Sequence, residues 1–160
     1  MIYSFITGIE SNMNFIREYH VPSEYSLFDF KQFIGADMGF DDSQQSVFFV
    51  LDRNSKKTES YSVFDMDMVS LEDLCKKGVE RLLYTFDFFN DRSLFIEFQG
   101  ETEEQSRVYY PVVVQSIGDA PNQFFEKIGN DINKKRSIND YDNDEKDDDE
   151  EDNEEIYDYL

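Results

Sequence analysis

The chain has 160 residues, among them 36 Asp or Glu and 15 Lys or Arg, and its formal net charge is −21 at pH 7. Such a charge repels the phosphate backbone of DNA and RNA, because affinity for nucleic acids comes largely from Lys and Arg that displace counterions. The sequence also lacks any run of the ~18 apolar residues that a membrane span requires. Direct nucleic-acid binding and membrane insertion are therefore not expected.

The charge is unevenly distributed along the chain. Residues 137–160 hold thirteen acids and one Lys, whereas residues 1–136 hold the other 23 acids and 14 bases, a net charge of −9. All sixteen Phe lie within residues 1–125, and each such ring can bury ~150–250 Å² of surface in a core. We therefore predict a folded domain over residues 1–130 and an acidic, disordered tail over residues 131–160.

The cysteine content bears on the compartment. Cys75 is the single cysteine, which excludes an internal disulfide and fits a reducing interior. A lone thiol in a predicted helix is typical of a small buried hydrophobe rather than a nucleophile. The first residues show neither the basic start nor the apolar run of a signal peptide, so we expect a soluble, cytoplasmic protein.

The first predicted element is a β-hairpin. Residues 2–7 are rich in β-branched and aromatic side chains, and residues 8–14 contain the Gly, Ser and Asn of a turn. Residues 15–21 then alternate in the way a strand does, with Arg17 on the same side as the aromatic residues. Pro22 ends this second strand.

Two helices are predicted from their capping pattern. Ser26 is followed three residues later by Asp29, a capping box in which hydroxyl and carboxylate satisfy the free amides of the first turn. Gly39 is placed to end this helix in a left-handed conformation. A shorter helix repeats the pattern at residues 70–78, with a serine at its start, an Asp three residues on and a glycine at its end.

The remaining elements are strands. They are predicted at residues 46–51, 61–64, 82–88, 94–98 and 108–115. Pro111 inside the last of these indicates an edge strand or a bulge. Residues 99–107 are predicted to form a solvated loop. The order of elements predicts an α+β domain, with a mainly antiparallel sheet and two helices packed on one face.

Several short segments match a family pattern in their order and spacing. They are Phe15-Ile16-Arg17 leading to Val21-Pro22, Ser26-Leu27, Met38-Gly39-Phe40-Asp41-Asp42, Tyr84-x-Phe86-Asp87-Phe88, Tyr110-Pro111 and Gly118-Asp119-Ala120-Pro121. Over roughly residues 1–125 the chain thereby resembles the Ri-plasmid open-reading-frame-three-like family, whose members are often described as passenger proteins of insertion elements. The resemblance implies an α+β fold in a family without an established biochemical activity.

The chain departs from that family pattern at two places. Where the family continues its aromatic-Asp-Phe stretch with Gly-Asp, then Trp and His, this chain has Phe89, Asn90, Arg92 and Leu94. Where the family usually has a His after Asp-Asp, this chain has Ser43-Gln44-Gln45. A polar site built on those histidines would be lost or altered here.

Asp87 is the acid whose surroundings are most unusual, since it lies among aromatic residues and a buried carboxylate must be hydrogen-bonded, paired or used chemically. With Asn90, Asp91 and Glu97 it could hold Mg²⁺ or Ca²⁺ at a strand-loop-strand junction. The favoured interpretation is that Asp87 supports its own turn. Asp41 and Asp42 are weaker metal candidates of the same kind, because acids after a helix end usually cap a turn.

The sequence contains no recognisable catalytic set. His20 is the only histidine, so a histidine-based metal site cannot be assembled within one chain. The Gly-x-Ser-x-Gly elbow of serine-histidine catalysis is absent from the sequence, and the seven glycines form no phosphate loop. We predict no catalytic residues and no cofactor, and favour a non-enzymatic, acidic protein-interaction module. The expected partner is a protein, and the excess of acids favours a basic one.

Two alternatives stay open. One is a metal-dependent enzyme or ligand-binding domain that uses a carboxylate cluster around Asp87. The other is an acidic decoy that occupies a DNA-binding protein. The oligomeric state is not predicted.

Overall fold

The computed structural model describes residues 1–124, which form an antiparallel sheet of seven strands with two helices. In chain order the elements are β1 (Ile2–Ile9), β2 (Asn12–Pro22), α1 (Leu27–Met38), β3 (Val47–Leu51), β4 (Lys57–Ser62), α2 (Leu71–Lys76), β5 (Arg81–Asp87), β6 (Arg92–Thr102) and β7 (Val112–Ile117). The strand order across the sheet is β4-β3-β5-β6-β1-β2-β7. The predicted α+β class is confirmed, and the tail predicted at residues 131–160 lies outside the described residues.

The N-termini of the two helices are built alike and lie side by side. Both predicted capping boxes are present, with Ser26 paired to Asp29 and Ser70 paired to Asp73. A β-bridge joins Ser26 to Ser70, and the N–H of Leu27 donates to the carbonyl of Val69 at 3.0 Å. The caps therefore do two things: they start each helix and they hold the two helices together.

Of the two glycines predicted to end the helices, one caps its helix and the other does not. Gly39 caps α1 at φ +76°, as predicted. The second helix ends at Lys76, before Gly78, which follows at φ +92°. Residue 78 therefore serves the turn into β5 rather than the helix itself.

Both helices pack on one face of the sheet. In α1, Phe30 contacts Phe5 of β1 with ring centroids 5.1 Å apart and stacks on Phe48 of β3 at 6.1 Å. In α2, Leu71 and Leu74 border a void of only about 10 Å³ whose wall also includes Phe5. Because Phe5 meets both helices, its side of the sheet is the core side, and most of the hydrophobic effect that stabilises the fold is generated there.

The core side also contains a charge. Arg17 of β2 is only 6% exposed at its side chain, and its Nε lies 3.2 Å from Oδ2 of Asp37 in α1. The hydroxyl of the fully buried Tyr19 donates to the same carboxylate oxygen at 2.7 Å. Arg17 also donates through Nη1 to the carbonyl of Ile117 at 3.0 Å, which ties β7 to the group.

The strand predicted at residues 61–64 is misplaced, since β4 already begins at Lys57. Asp52 fixes the preceding turn by accepting N–H bonds from Asn54 and Lys56, at 2.8 and 2.9 Å, so pairing with β3 resumes at once. The polar composition of β4 did not prevent a strand, because β4 lies at an edge of the sheet and most of its side chains are exposed.

The loop predicted at residues 99–107 is wrong in its first part. β6 continues to Thr102 because β1 pairs with it as far as Ile2. A polar segment becomes a strand when a neighbouring strand supplies partners for its backbone groups. The last strand begins at Val112, after Pro111, rather than at residue 108 as predicted, because a proline has no N–H to give to the sheet. This strand, β7, is an edge strand and pairs with β2.

The buried ion pair gives a stability prediction. Removing the carboxylate in Asp37→Ala leaves Arg17 buried without its counter-ion, and such a loss costs ~3–5 kcal/mol when both charges are buried. Because Asp37 is 17% exposed at its side chain, we expect a loss of roughly 3 kcal/mol in the free energy of unfolding, measured by urea denaturation.

The matched control is Asp67→Ala, since Asp67 is an exposed acid in the short 3-10 turn before α2. Its substitution should change stability by no more than ~0.5 kcal/mol. Equal effects of the two substitutions would show that the Asp37 carboxylate has no special part in the fold.

Candidate functional site

Asp87 lies at the end of β5 and binds the turn that follows it. Its carboxylate accepts hydrogen bonds from the N–H of Asn90 at 3.3 Å, from Nδ2 of the same residue at 3.0 and 3.2 Å, and from Nε of Arg92 at 2.9 Å. The side chain is 11% exposed. The carboxylate oxygens are thus engaged within the β5–β6 hairpin itself.

The protonation of Asp87 follows from these contacts. Desolvation of the carboxyl would by itself raise its pKa, but the hydrogen bonds from Arg92 and Asn90, together with the charge of Arg92, outweigh that effect. The pKa of Asp87 is therefore lowered, and the group is a carboxylate across the neutral range. A general acid of raised pKa is not what this environment produces.

Arg92 and Gln123 extend the hairpin contacts to the loop that follows α1. Nη2 of Arg92 donates to the carbonyl of Gln123 at 2.7 Å. The side chain of Gln123 in turn binds both backbone groups of Asp41, at 2.6 and 2.8 Å. The guanidinium also lies 5.0 Å above the ring of Phe86. Asp87 and Asp41 thus belong to one hydrogen-bonded chain without facing each other as ligands.

The other acidic candidates have separate surroundings. Asp41 accepts from the N–H of Ser43 at 2.9 Å, and this backbone bond is the main reason that the pKa of Asp41 is lowered. Asp42 lies 3.8 Å from Nζ of Lys31. Glu97 is an exposed residue in the middle of β6, and Asp91 is an exposed turn residue at φ +53°. Over residues 1–124 no three His, Cys, Asp or Glu side chains are placed to bind a metal ion.

The surroundings of His20 and Cys75 are those of structural residues. Nε2 of His20 lies 3.0 Å from Oε2 of Glu18, which also accepts from the hydroxyl of Ser4 at 3.3 Å. Burial raises the pKa of the Cys75 thiol to about 11, so the thiolate needed of a nucleophile is scarce at neutral pH.

The sheet has a second face, opposite α1 and α2, that carries an apolar row. Strand register places the members of this row next to one another on six strands: Phe49, Leu83, Phe95, Gly8, Ile16 and Ile117. None of them belongs to the hydrophobic core cluster or to the residues packed against it. Leu83, flanked by two Phe, is 8% exposed, and Ile117 at the sheet edge is 43% exposed.

A cleft of about 580 Å³ opens beside this apolar row at the hairpin end of the sheet. Leu83 and Phe95 contribute its apolar wall, and Lys57, Arg92 and Ser93 contribute polar groups. The ammonium of Lys57 lies 4.3 Å from the ring centroid of Phe49, so its stem and charge cover part of the row.

The adjoining row of the second face is mostly polar. Its members in register are Leu51, Arg81, Glu97, Ile6, Glu18 and Gln115. Rows on one face are two residues apart, or ~7 Å along the strands. The apolar row is therefore bordered by Arg81 and by the carboxylates of Glu97 and Glu18, at a distance that a single partner surface would cover.

The architecture is that of an α+β domain with an antiparallel sheet, both helices on one face and an apolar row on the other. The chain belongs to the family described as Plasmid pRiA4b ORF-3-like protein, whose model matches residues 6–160. The resemblance seen in the sequence is thereby confirmed. Of the described residues, none forms a helix long and apolar enough to cross a bilayer.

A solved structure shares the fold. It is the crystal structure of a protein of unknown function, MM3350, from Methanosarcina mazei Go1, with a TM-score of 0.66 and 18% sequence identity over 75% of this chain and 71% of that chain. At that identity the likeness shows the fold alone. No curated protein matches the sequence.

The Asp87 contacts predict a specific pH dependence. Asp87→Asn removes the charge that pairs with Arg92 and should lower the free energy of unfolding at pH 7 by ~1–2 kcal/mol. A carboxyl whose pKa is lowered in the folded protein stabilises the fold at pH values above its pKa in the unfolded chain, ~3.9. This stabilisation is lost as the pH falls through the pKa of the folded state. The difference between wild type and variant, measured by urea denaturation, should therefore shrink below pH ~4.

Asp91→Asn is the matched control, since Asp91 is an exposed acid in the same turn, four residues after Asp87. Asn tolerates the left-handed backbone at this position, so the substitution should change stability by no more than ~0.5 kcal/mol at any pH. A loss at Asp87 that is independent of pH would contradict the charge-paired role.

Proposed function

We propose that this protein is a non-enzymatic protein-interaction module that binds its partner on the second face of the sheet. The observation that supports it is the apolar row, which crosses six strands and has no part in the helix-covered core. Contiguous apolar surface outside the core is the usual mark of a protein-binding site.

The composition of the inner strands supports the same proposal. A sheet that shows one face to water normally alternates apolar and polar residues, whereas strands covered on both faces read as continuous apolar runs. β3 is Val-Phe-Phe-Val-Leu, and β5 is apolar at successive positions from Leu82 to Tyr84. Both strands therefore have the pattern of strands covered on two sides, while α1 and α2 cover one side.

The adjoining row holds two carboxylates and one cation, Arg81, and together with the acidity of the whole chain it favours a basic partner. Glu97 is exposed and Glu18 is half-buried in the neighbouring row, and the whole chain has a net charge of −21. A partner with apolar side chains for the row and Lys or Arg for its border would match both features. We further propose that the protein is cytoplasmic and needs no cofactor. The single cysteine fits a reducing compartment of this kind.

The alternatives have less support in residues 1–124. Asp87 and Asp41 are engaged by Arg92, Asn90, Ser43 and Gln123, and no described group of acids has the arrangement of a metal site. The acidic decoy would require carboxylates spaced like successive phosphates, and it stays a prediction.

The docking proposal is tested by photo-crosslinking. With p-benzoylphenylalanine in place of Phe95, a half-buried member of the row, the chain should crosslink to one partner protein in an extract of its source cells. The same replacement at Phe64, which is 91% exposed and lies outside the strands, is the control and should give no such product. Equal crosslinking from both positions would contradict the proposal.

The purified partner then gives a quantitative test. Phe95→Thr keeps a strand-forming side chain and removes the ring, and it should weaken binding at least ~10-fold in isothermal titration, as expected of an aromatic anchor. Added salt should also weaken binding, because the carboxylates at the border are exposed to screening. An affinity unchanged in Phe95→Thr would show that the partner binds elsewhere.

A further inference from the structure

A second, smaller cleft lies at the other end of the second face. Its volume is about 270 Å³, and it is lined by Met1, Ile2, Pro22, Glu24, Glu104, Val108, Tyr109 and Tyr110. Ile2 and Pro22 face each other across β1 and β2 and form its floor. We call it the tyrosine-glutamate cleft.

The two tyrosines of this cleft differ in how they are held. The hydroxyl of Tyr110 accepts a hydrogen bond from the N–H of Gln105 at 3.0 Å, which fixes the ring against the loop that precedes β7. The Tyr109 side chain is 91% exposed, so its ring contributes nothing to the core. The cleft therefore presents one fixed ring and one exposed ring beside two carboxylates.

This combination matches one kind of ligand group. The faces of tyrosine rings attract cations, and the attraction grows when carboxylates lie nearby. The cleft is smaller than the ~300–1,000 Å³ typical of sites for drug-sized ligands. Its size and charge suit a single side chain with an apolar stem and a cationic end.

We propose that the tyrosine-glutamate cleft binds a Lys or Arg side chain of the protein that docks on the second face. The inference rests on the proposed function for the identity of the ligand, while the cleft itself is independent of the apolar row. Ile2 is six residues from Gly8 along β1, so the two sites are ~20 Å apart. One partner segment can therefore place apolar side chains on the row and a cation in the cleft.

The cleft is tested directly with a small cation. Nα-acetyl-lysine methylamide is titrated into the full chain while the ring signals of Tyr109 and Tyr110 are followed by NMR, with the norleucine analogue as the neutral probe of the same stem. We expect saturable shifts of both rings with the lysine probe and binding at least ~10-fold weaker for norleucine. Equal shifts with the two probes, or no saturation, would overturn the inference.

Variants assign the effect to the cleft. The double substitution Glu24→Gln and Glu104→Gln should weaken lysine binding at least ~10-fold, and Tyr109→Ala should do the same. Glu103→Gln, an exposed acid next to the cleft that does not line it, should leave binding unchanged. An equal loss in Glu103→Gln would show a diffuse charge effect and would overturn the site.

The two proposals can fail separately. Phe95→Thr should leave binding of the lysine probe intact, because Phe95 lies in the distant apolar row. If the probe does not bind while Phe95→Thr still weakens the partner, the cleft inference alone is overturned. If the probe binds and partner affinity is unaffected by Phe95→Thr, the docking proposal alone is overturned.

Discussion

The arrangement of the sheet and α1 depends on one buried cation. Arg17 sits inside the core of an acidic protein, and α1 packs over the sheet with Asp37 placed against that charge. The same guanidinium binds the carbonyl of Ile117 and so fixes the edge strand β7. Ile117 is also the last member of the apolar row, so the guanidinium inside the core contacts the backbone of the residue at which the row on the opposite face ends.

Local features of the sequence were enough to predict the helix caps, the first hairpin and the end of α1. Ser26 with Asp29 and the glycine at residue 39 act within one turn of helix, so their effect does not depend on distant contacts. The alternation in β2 placed Arg17 on the aromatic side, which was a visible sign of a buried charge. Its partner Asp37 could not be identified, because that choice depends on how α1 lies across the sheet.

The apolar row could not be found from the sequence for a related reason. Phe49, Leu83 and Phe95 become neighbours only when β3, β5 and β6 pair in a particular register. Asp87, by contrast, is recognisable in the sequence as a lone carboxylate among aromatic residues, and its contacts lie within its own hairpin. In this chain the residue with the strongest local signal supports its own hairpin, whereas the surface proposed for binding is produced by long-range pairing.

Docking on the second face requires that this face is not needed for folding and is available for a partner. Phe95 and Ile96 are adjacent in β6 and point to opposite faces, so comparing their threonine substitutions by urea denaturation tests the claim most directly. Ile96 is 1% exposed in the core, and Ile96→Thr should cost at least ~3 kcal/mol. Phe95→Thr should cost no more than ~1 kcal/mol. Comparable losses would contradict the claim, because they would show that the apolar row stabilises the fold as the core does.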